Sequence, residues 1–505
     1  MSAVLVSPPK GGGITRDFTA SIVVFLVAMP LCMGIAIASG MPPEKGLVTG
    51  IIGGLVVGLL AGSPLQVSGP AAGLAVIVFE LVRDQGLSAL GPILMLAGII
   101  QFVAGIFKLG GWFRAISPAV VHGMLAGIGV LIVAGQFHVL FDAKPLASGL
   151  QNLSAIPGRL LGLAPGGGSG AGLAFAIGLL TIGTMLGWEK FRPASLRLVP
   201  GALVGVVAAT LVASIGGLDL IRVSVPSNIL NAVDVPDASF VAKLLDPSIY
   251  VTALAIAFIA SAETLLSAAA VDRMHDGVRT NYDKELRAQG IGNLLCGFAG
   301  ALPMTGVIVR SSANVQAGAT SRLSTILHGA WILGFVALLP WLLREIPMAA
   351  LGGVLVVTGF RLVSLSHVKH LFHRYGPLPA LIWAATLATV VAEDLLTGVL
   401  VGLALSLVEL VPHIRKLRLG VHEQHGADAS HVTLDGTATF VTLPKLTKAL
   451  EGLPHDKALT LDVARLSAID HTSAEMLQDW LQRRRAAGMR INLSGGKGKL
   501  RTLAA

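Results

Sequence analysis

Gly62-Ser-Pro-Leu-Gln-Val-Ser-Gly-Pro-Ala-Ala-Gly73 and Gly300-Ala-Leu-Pro-Met-Thr-Gly-Val-Ile-Val-Arg-Ser-Ser-Ala-Asn314 decide how this chain folds. Each opens a hydrophobic stretch with glycine and proline, which interrupt a helix. A short extended run follows, and then helical spacing resumes. The pattern predicts two half-helices inside an apolar surrounding, each third in its half of the hydrophobic region. Interrupted segments at matching positions point to the binding site of a transporter. The amino end of a half-helix presents unpaired N–H groups and partial positive charge, so the expected ligand is an anion.

Working outward, the composition identifies the solvent. Of 505 residues, 53% are hydrophobic and only 13% charged, mean hydropathy is +0.76, and 61 are glycine. A helix-bundle membrane protein has this profile, whereas a soluble protein needs far more charge to cover its surface. Cys32 and Cys296 lie in apolar helical sequence and form neither a disulfide framework nor a metal motif. The net charge of +9 reads as lysine and arginine gathered on the cytoplasmic side of a bilayer, not as a nucleic-acid surface. Residues 1–15 are a short cytoplasmic segment; the first apolar run outlasts a signal-peptide core and is expected to be retained.

Apolar runs between breakers predict fourteen segments, near 18–39, 46–62, 70–82, 91–109, 118–138, 171–187, 198–216, 249–270, 287–300, 306–317, 321–343, 346–361, 377–391 and 395–412. The third and tenth are too short to cross a bilayer alone. With the amino end inside, the cytoplasmic connections carry Lys108, Arg114, Lys190, Arg192, Arg197, Arg273, Arg279, Lys284, Arg287, Lys369, Arg374, Arg415, Lys416 and Arg418. The opposite side carries Lys45, Arg83, Lys144, Arg159, Arg222, Lys243 and Arg344. That bias predicts an even number of crossings with both termini cytoplasmic. The glycine run at 165–170 is expected to be a flexible external link, because it lacks the lysine and preceding strand of a phosphate loop. Residues 16–412 thus form a transmembrane domain and 413–430 a linker. At 431–505 the composition turns polar, with β-type alternation at 438–442, helices at 444–452 and 473–487, and strands at 458–463 and 489–493. These alternating strands and helices predict a small α/β domain.

Several segments resemble the sulfate permease (SulP/SLC26) family of anion transporters. They are Asp17-Phe18, Pro30-Leu-Cys-Met-Gly-Ile-Ala36, Ser68-Gly-Pro70, Ala262-Glu-Thr-Leu-Leu266, Gln289-Gly-Ile-Gly-Asn293, Pro303-Met-Thr-Gly306, Arg310-Ser-Ser-Ala-Asn314 and Asp394-Leu-Leu-Thr-Gly-Val399. The carboxyl-terminal domain resembles a STAS domain through Leu461-Asp-Val-Ala-Arg-Leu-Ser-Ala-Ile-Asp-His-Thr-Ser-Ala474. The resemblance implies an α-helical polytopic membrane protein of 14 segments in a 7+7 inverted repeat. Segments 1–4 and 8–11 would form a core and 5–7 and 12–14 a gate, moving as an elevator. It also implies a bacterial cytoplasmic (inner) membrane location and a homodimer in the lipid bilayer.

The anion is expected between the amino ends of the two half-helices, around Ser68, Gly69, Pro70 and Ala71 and around Thr305, Gly306, Val307 and Ile308. By resemblance, Pro30, Leu31 and Ile35 line the same pocket. Arg310, one turn into the second half-helix, is costly at that depth unless paired or facing water, and would add positive potential there. Glu263 stands alone in the apolar run from Val251. An ionisable residue so placed is a functional candidate, here a proton carrier. Ser267 lies one turn on, on the same face. An acidic residue and a hydroxyl at these places bind the cation in sodium-coupled bicarbonate relatives, so sodium is the alternative coupling ion. In the STAS-like domain, Thr472 aligns with a phosphorylatable hydroxyl and Ser473 follows it; both are also placed to cap a helix. His122, His138 and His328 read as packing residues, and His367, His370 and His373 as part of a basic connection. Neither metal nor cofactor is called for.

The leading expectation is a secondary active transporter of a small anion (a C4-dicarboxylate such as fumarate, bicarbonate or sulfate), coupled to protons. A nucleobase–proton symporter and an uncoupled channel or signalling module are the other readings. No nucleophile–base pair or Walker loop supports an enzyme.

Overall fold

A computed structural model describes residues 13–113, 117–146, 148–162, 170–196, 198–275, 277–364, 368–369, 372–373, 376–410, 418–425, 429–453, 458–486 and 489–495. Residues 1–12, 165–169 of the glycine run, His367, His370, Arg114, Arg197, Arg374, Arg415 and Lys416 lie outside them, as do parts of the expected linker and residues 496–505.

The chain divides into two compact units. One takes the residues up to Gly110, then Leu125–Val363 and Val391–Leu395. It opens with α1 (Gly13–Ala38) and α2 (Pro43–Ile52), whose last turns widen through a π segment at Gly53–Val57. Then follow β1 (Ser68–Pro70), a 3₁₀ turn at Ala72–Leu74, and the short α3 (Ala75–Gln85). After it come α4 (Leu90–Ile106), α5 (Pro118–Val139, its first turns in the second unit), α6 (Gly149–Leu160), α7 (Ala171–Phe191) and α8 (Gly201–Ile215). The second half repeats the motif with α9 (Ser248–Asp272), α10 (Tyr282–Phe298), β2 (Met304–Gly306), the short α11 (Ile308–Gln316), α12 (Leu323–Leu338) and α13 (Met348–Leu362). By length and composition, 6 of the described helices can cross a membrane, and shorter apolar ones accompany them.

Both predicted breaks are therefore present, each a strand of three residues followed by a short helix. Two local readings need correction. Helix α6 falls between the fifth and sixth predicted segments, where no element is predicted; Ser148 caps it, its hydroxyl accepting the Gln151 N–H at 3.3 Å, a signal hidden between turn-forming residues. Helix α10 starts before the predicted 287 because Asn281 accepts the Lys284 N–H at 2.9 Å.

Helices α4 and α10 approach through glycines seven residues apart, at 91, 98 and 105 on one and at 290 and 297 on the other. A Cβ on Gly98 would lie 2.6 Å from the Gly290 carbonyl oxygen. Bare backbone on both sides lets the axes close, as small residues do in membrane bundles.

The second unit holds Gly111–Met124, Ser364–Val390 and the chain from Leu396 onward. In it α14 (Pro377–Ala392) packs on α15 (Leu395–Leu410) at Gly402, where a Cβ would meet Val120 and Thr386. Beyond α15 lies a sheet in the order β3-β4-β5-β6 (Leu419–His425, Ala429–Ala438, Ala458–Ile469, Ile491–Ser494). Strands β3 and β4 are antiparallel, and the later pairs are parallel. Parallel pairs need crossovers, supplied by α16 (Leu443–Glu451) and α17 (His471–Ala486). Leu434, Leu446, Leu461, Leu477 and Trp480 fill the core between helices and sheet. The predicted strand at 438–442 ends at Ala438 instead. Its threonines make a turn, with the Thr442 hydroxyl accepting the Thr439 N–H at 2.9 Å, a local bond that competes with the ladder.

Candidate functional site

Strands β1 and β2 meet antiparallel, pairing Ser68 with Gly306, Gly69 with Thr305 and Pro70 with Met304. The ladder extends at both ends: Val307 N–H donates to the Val67 carbonyl at 2.9 Å and Ala71 N–H to the Pro303 carbonyl at 3.1 Å. Each strand feeds a helix, so the amino ends of the 3₁₀ turn before α3 and of α11 are joined through one two-stranded ribbon. Their first N–H groups have no partner within the helix, which leaves donors for an anion. A three-residue ribbon is too short to hold itself, and side chains from other helices clamp it.

Most clamps come from α10. Glu285, Gln289 and Asn293, four residues apart, share one face. Glu285, fully buried, accepts the N–H groups of Gly62 at 2.8 Å and Ser63 at 2.9 Å. Gln289 donates to the Ser68 hydroxyl at 2.6 Å. The Asn293 amide accepts from Met304 N–H at 2.8 Å and donates to the Met304 carbonyl at 3.1 Å. From α9, the Thr264 hydroxyl accepts Gly306 N–H at 3.2 Å and its carbonyl accepts the Gln66 amide at 2.9 Å. Ser311 and Asn314 of α11 bind Val67 N–H and the Leu65 carbonyl. Sequence reasoning had passed over Glu285, Gln289 and Asn293 as site-builders. Their spacing of four along the helix was the available signal.

The remaining predicted residues fall into place around this ribbon. Ser68 and Thr305 are buried; Ile308 opens α11 and is 38% exposed. Helix α1 packs on β1 and on both half-helices, carrying Pro30, Leu31 and Ile35, all buried. Glu263 of α9 is half-buried and stands at the start of α3. A Cβ on Gly73 would be 2.6 Å from its Oε2, with the Gly73 N–H and the Thr305 side chain alongside. Oε2 is buried with no hydrogen-bond partner among the described residues. Ser267, one turn on, is buried.

Arg310 is fully buried. Its guanidinium lies over Gly69, where a Cβ would collide with it, and its neighbours are Cys32 and His328. None of its three guanidinium nitrogens has a hydrogen-bond partner among the described residues. Arg310 and Glu263 thus have different neighbours, Gly69 for one and Gly73 for the other. In the carboxyl-terminal sheet domain, Thr472 and Ser473 are both buried. The cap that both were placed to provide is made by Asp470, which accepts Ser473 N–H at 2.8 Å and Phe440 N–H at 2.6 Å. His138 and His328 sit as expected of packing residues: His138 Nε2 bonds the Asn152 carbonyl at 3.1 Å and His328 Nδ1 the Thr325 carbonyl at 2.9 Å.

Residues 14–386 match the sulfate permease family. The chain is 31% identical to the "Putative sulfate transporter YvdB" of Bacillus subtilis, over 91% of this chain and 87% of that one. It is 25% identical to the bicarbonate transporter BicA of Picosynechococcus sp., over 80% and 71%. In structure it is similar to the transmembrane domain of a cyanobacterial BicA (TM-score 0.66, 24% identity, 77% of this chain and 98% of the other). It is also similar to SLC26A9 (TM-score 0.69, 16% identity, 97% and 86%). The last two likenesses are of fold.

Proposed function

The chain belongs to the sulfate permease family, a family of multi-pass anion transporters and not of enzymes, and from that premise we propose a secondary active symporter of a small anion with protons. The observation that carries it is the β1–β2 ribbon, which presents two half-helix amino ends beside one lone carboxyl group, Glu263. The anion sits between the two half-helix amino ends, around Ser68, Gly69, Pro70 and Ala71 and around Thr305, Gly306, Val307 and Ile308; its N–H donors come from the first helical turns, since the Ala71 and Val307 N–H groups are spent on the ribbon. Pro30, Leu31 and Ile35 form the apolar wall, and Arg310 supplies a fixed positive charge from behind Gly69. One proton on Glu263 makes the loading of a monovalent anion such as bicarbonate electroneutral and leaves a dianion such as sulfate or fumarate one negative charge in excess.

Sulfate, bicarbonate and a C4-dicarboxylate such as fumarate are the substrate classes; the names of the relatives above support the first two. The finer architecture is part of the same proposal. It comprises a 7+7 inverted repeat whose core slides against a gate, a transmembrane domain at 16–412, a linker at 413–430, a STAS domain at 431–505, cytoplasmic termini in a bacterial inner membrane, and a homodimer. A sodium-coupled variant has one supporting observation: Ser267 stands one turn from Glu263, where the pair could hold a cation.

Uptake of labelled fumarate, bicarbonate and sulfate into proteoliposomes tests this, with an imposed pH gradient and with or without sodium. Uptake of one anion driven by inward protons and lost in Glu263→Gln is the expected result. A strict sodium requirement would transfer Glu263 and Ser267 to a cation site, and no flux under either gradient would overturn the symporter reading.

A further inference from the structure

A small cavity of about 50 Å³, partly open, lies along α3 on the side facing α5. Glu80 lines it, with Val76 and Phe79 of the same helix, Gln136 of α5, and Ser148 and Asn152 at the start of α6. Its polar groups are unequal. Asn152 is fully engaged, its Nδ2 donating to the Leu146 and Ser148 carbonyls and its Oδ1 accepting Leu146 N–H. Gln136 is 2% exposed and its Oε1 has no hydrogen-bond partner among the described residues. A buried amide oxygen without a partner costs about 1–3 kcal/mol, and one that lines an open cavity recovers it from water or another donor there.

Glu80 stands on α3 seven residues after Gly73 of the preceding 3₁₀ turn, roughly 10 Å along the axis. Gly73 is the residue against which Glu263 rests. Ala75 and Val76, between the two, also line the cavity. The cavity therefore extends from Glu80, past apolar side chains, to Ala75, two residues from the Gly73 that Glu263 rests against. The charged groups acting on Glu80 are Asp394, in the turn between α14 and α15, and Arg83 and Asp84 of its own helix. Arg83 is itself paired with Asp84 at 2.6 Å. The α1, α5 and α6 residues of the lining are neutral. A carboxylate here repels an arriving anion, and a carboxylic acid does not, so protonation and anion entry favour each other.

Resting on the proton-symport reading above, we propose that Glu80 is the outer loading group for the transported proton. One proton leaves external hydronium for a Glu80 carboxylate oxygen. It then passes through water in the cavity to the Glu263 carboxylate. One O–H bond breaks at Glu80, one forms at Glu263, and no electrons move.

The test uses the full-length protein in proteoliposomes with a trapped pH dye, offered sulfate, fumarate and bicarbonate separately. Proton-driven uptake is compared with anion–anion exchange at equal pH, in wild type, Glu80→Gln, Glu80→Asp and Gln136→Leu. Glu80→Gln is expected to lower driven uptake about tenfold more than exchange, with Glu80→Asp recovering most of the loss and Gln136→Leu giving a smaller loss of the same kind. Equal loss of both fluxes in Glu80→Gln, with no recovery in Glu80→Asp, would mark a packing role and overturn the inference. So would a driven rate and pH profile in Glu80→Gln and Gln136→Leu that match wild type. Absence of proton-dependent uptake in wild type would overturn the symport reading itself, and Glu80 with it.

Discussion

Gly73 has no Cβ because the Glu263 carboxyl group occupies the place one would take, 2.6 Å from Oε2 and 2.9 Å from Cδ. Gly73→Ala must push that carboxyl group off the start of α3 or tilt the half-helix. Overpacking of this sort costs about 1–3 kcal/mol. We expect transport by Gly73→Ala to fall at least about tenfold while the protein stays monodisperse on size exclusion; wild-type uptake would mean that the carboxyl position is not critical. Glu263 was legible in sequence as a lone carboxylate in an apolar helix. Its partner was not, because no local pattern links positions so far apart along the chain. Arg310 shows the same divide: its identity pointed to the site, but only packing could reveal that its guanidinium turns over Gly69 toward Cys32 and His328. Outside the membrane segments, Asp246 precedes α9 and accepts Ser248 N–H at 3.0 Å. Those hydrogen bonds from Ser248 hold its carboxyl group below the ordinary value. A lowered carboxyl pKa stabilises the fold above the unfolded value near 3.9, and the contribution fades as pH falls through the folded value. Asp246→Ala should therefore melt below wild type at pH 7, with the gap narrowing toward pH 3; a gap that does not change with pH would assign the effect to something other than charge.

At the scale of elements, the two broken segments were readable because glycine and proline leave a strong local mark. Their clamping by α10 was not, since nothing in a lone Glu285, Gln289 or Asn293 says which backbone it will bind. Asn293 is the most economical clamp: one amide satisfies both the N–H and the carbonyl of Met304. Asn293→Leu keeps the branching at Cγ but strands two buried backbone groups, each worth about 1–3 kcal/mol. We expect uptake to vanish and the detergent melting temperature to drop, whereas Asn293→Asp, which keeps the acceptor for Met304 N–H, should lose less stability. The α4–α10 seam makes a separate demand. Its closest atoms are backbone on both sides, so Gly98→Ala forces the axes apart instead of moving a side chain. A lower melting temperature with an altered dependence on bilayer thickness is the expected signature.

For the molecule as a whole, membrane orientation follows from a charge count that no single element carries. Cytoplasmic connections are expected to hold most of the lysine and arginine, which sets the connection after α9 inside and the one before it outside. Cys32 and Cys296 are both unpaired and fully buried, so the natural chain offers little background to a membrane-impermeant maleimide. Val235, before α9, is 81% exposed and Val278, after it, is 75% exposed. Val235→Cys should label in intact cells, and Val278→Cys only after the membrane is opened. The reverse pattern would invert the molecule. Labelling of both from outside would mean that α9 does not cross, and Glu263 could not then lie between two aqueous sides. Because α9 carries Glu263 and also binds β2 through Thr264, the proposed coupling depends on its being a single full crossing, and these two substitutions test that condition before any transport assay is run.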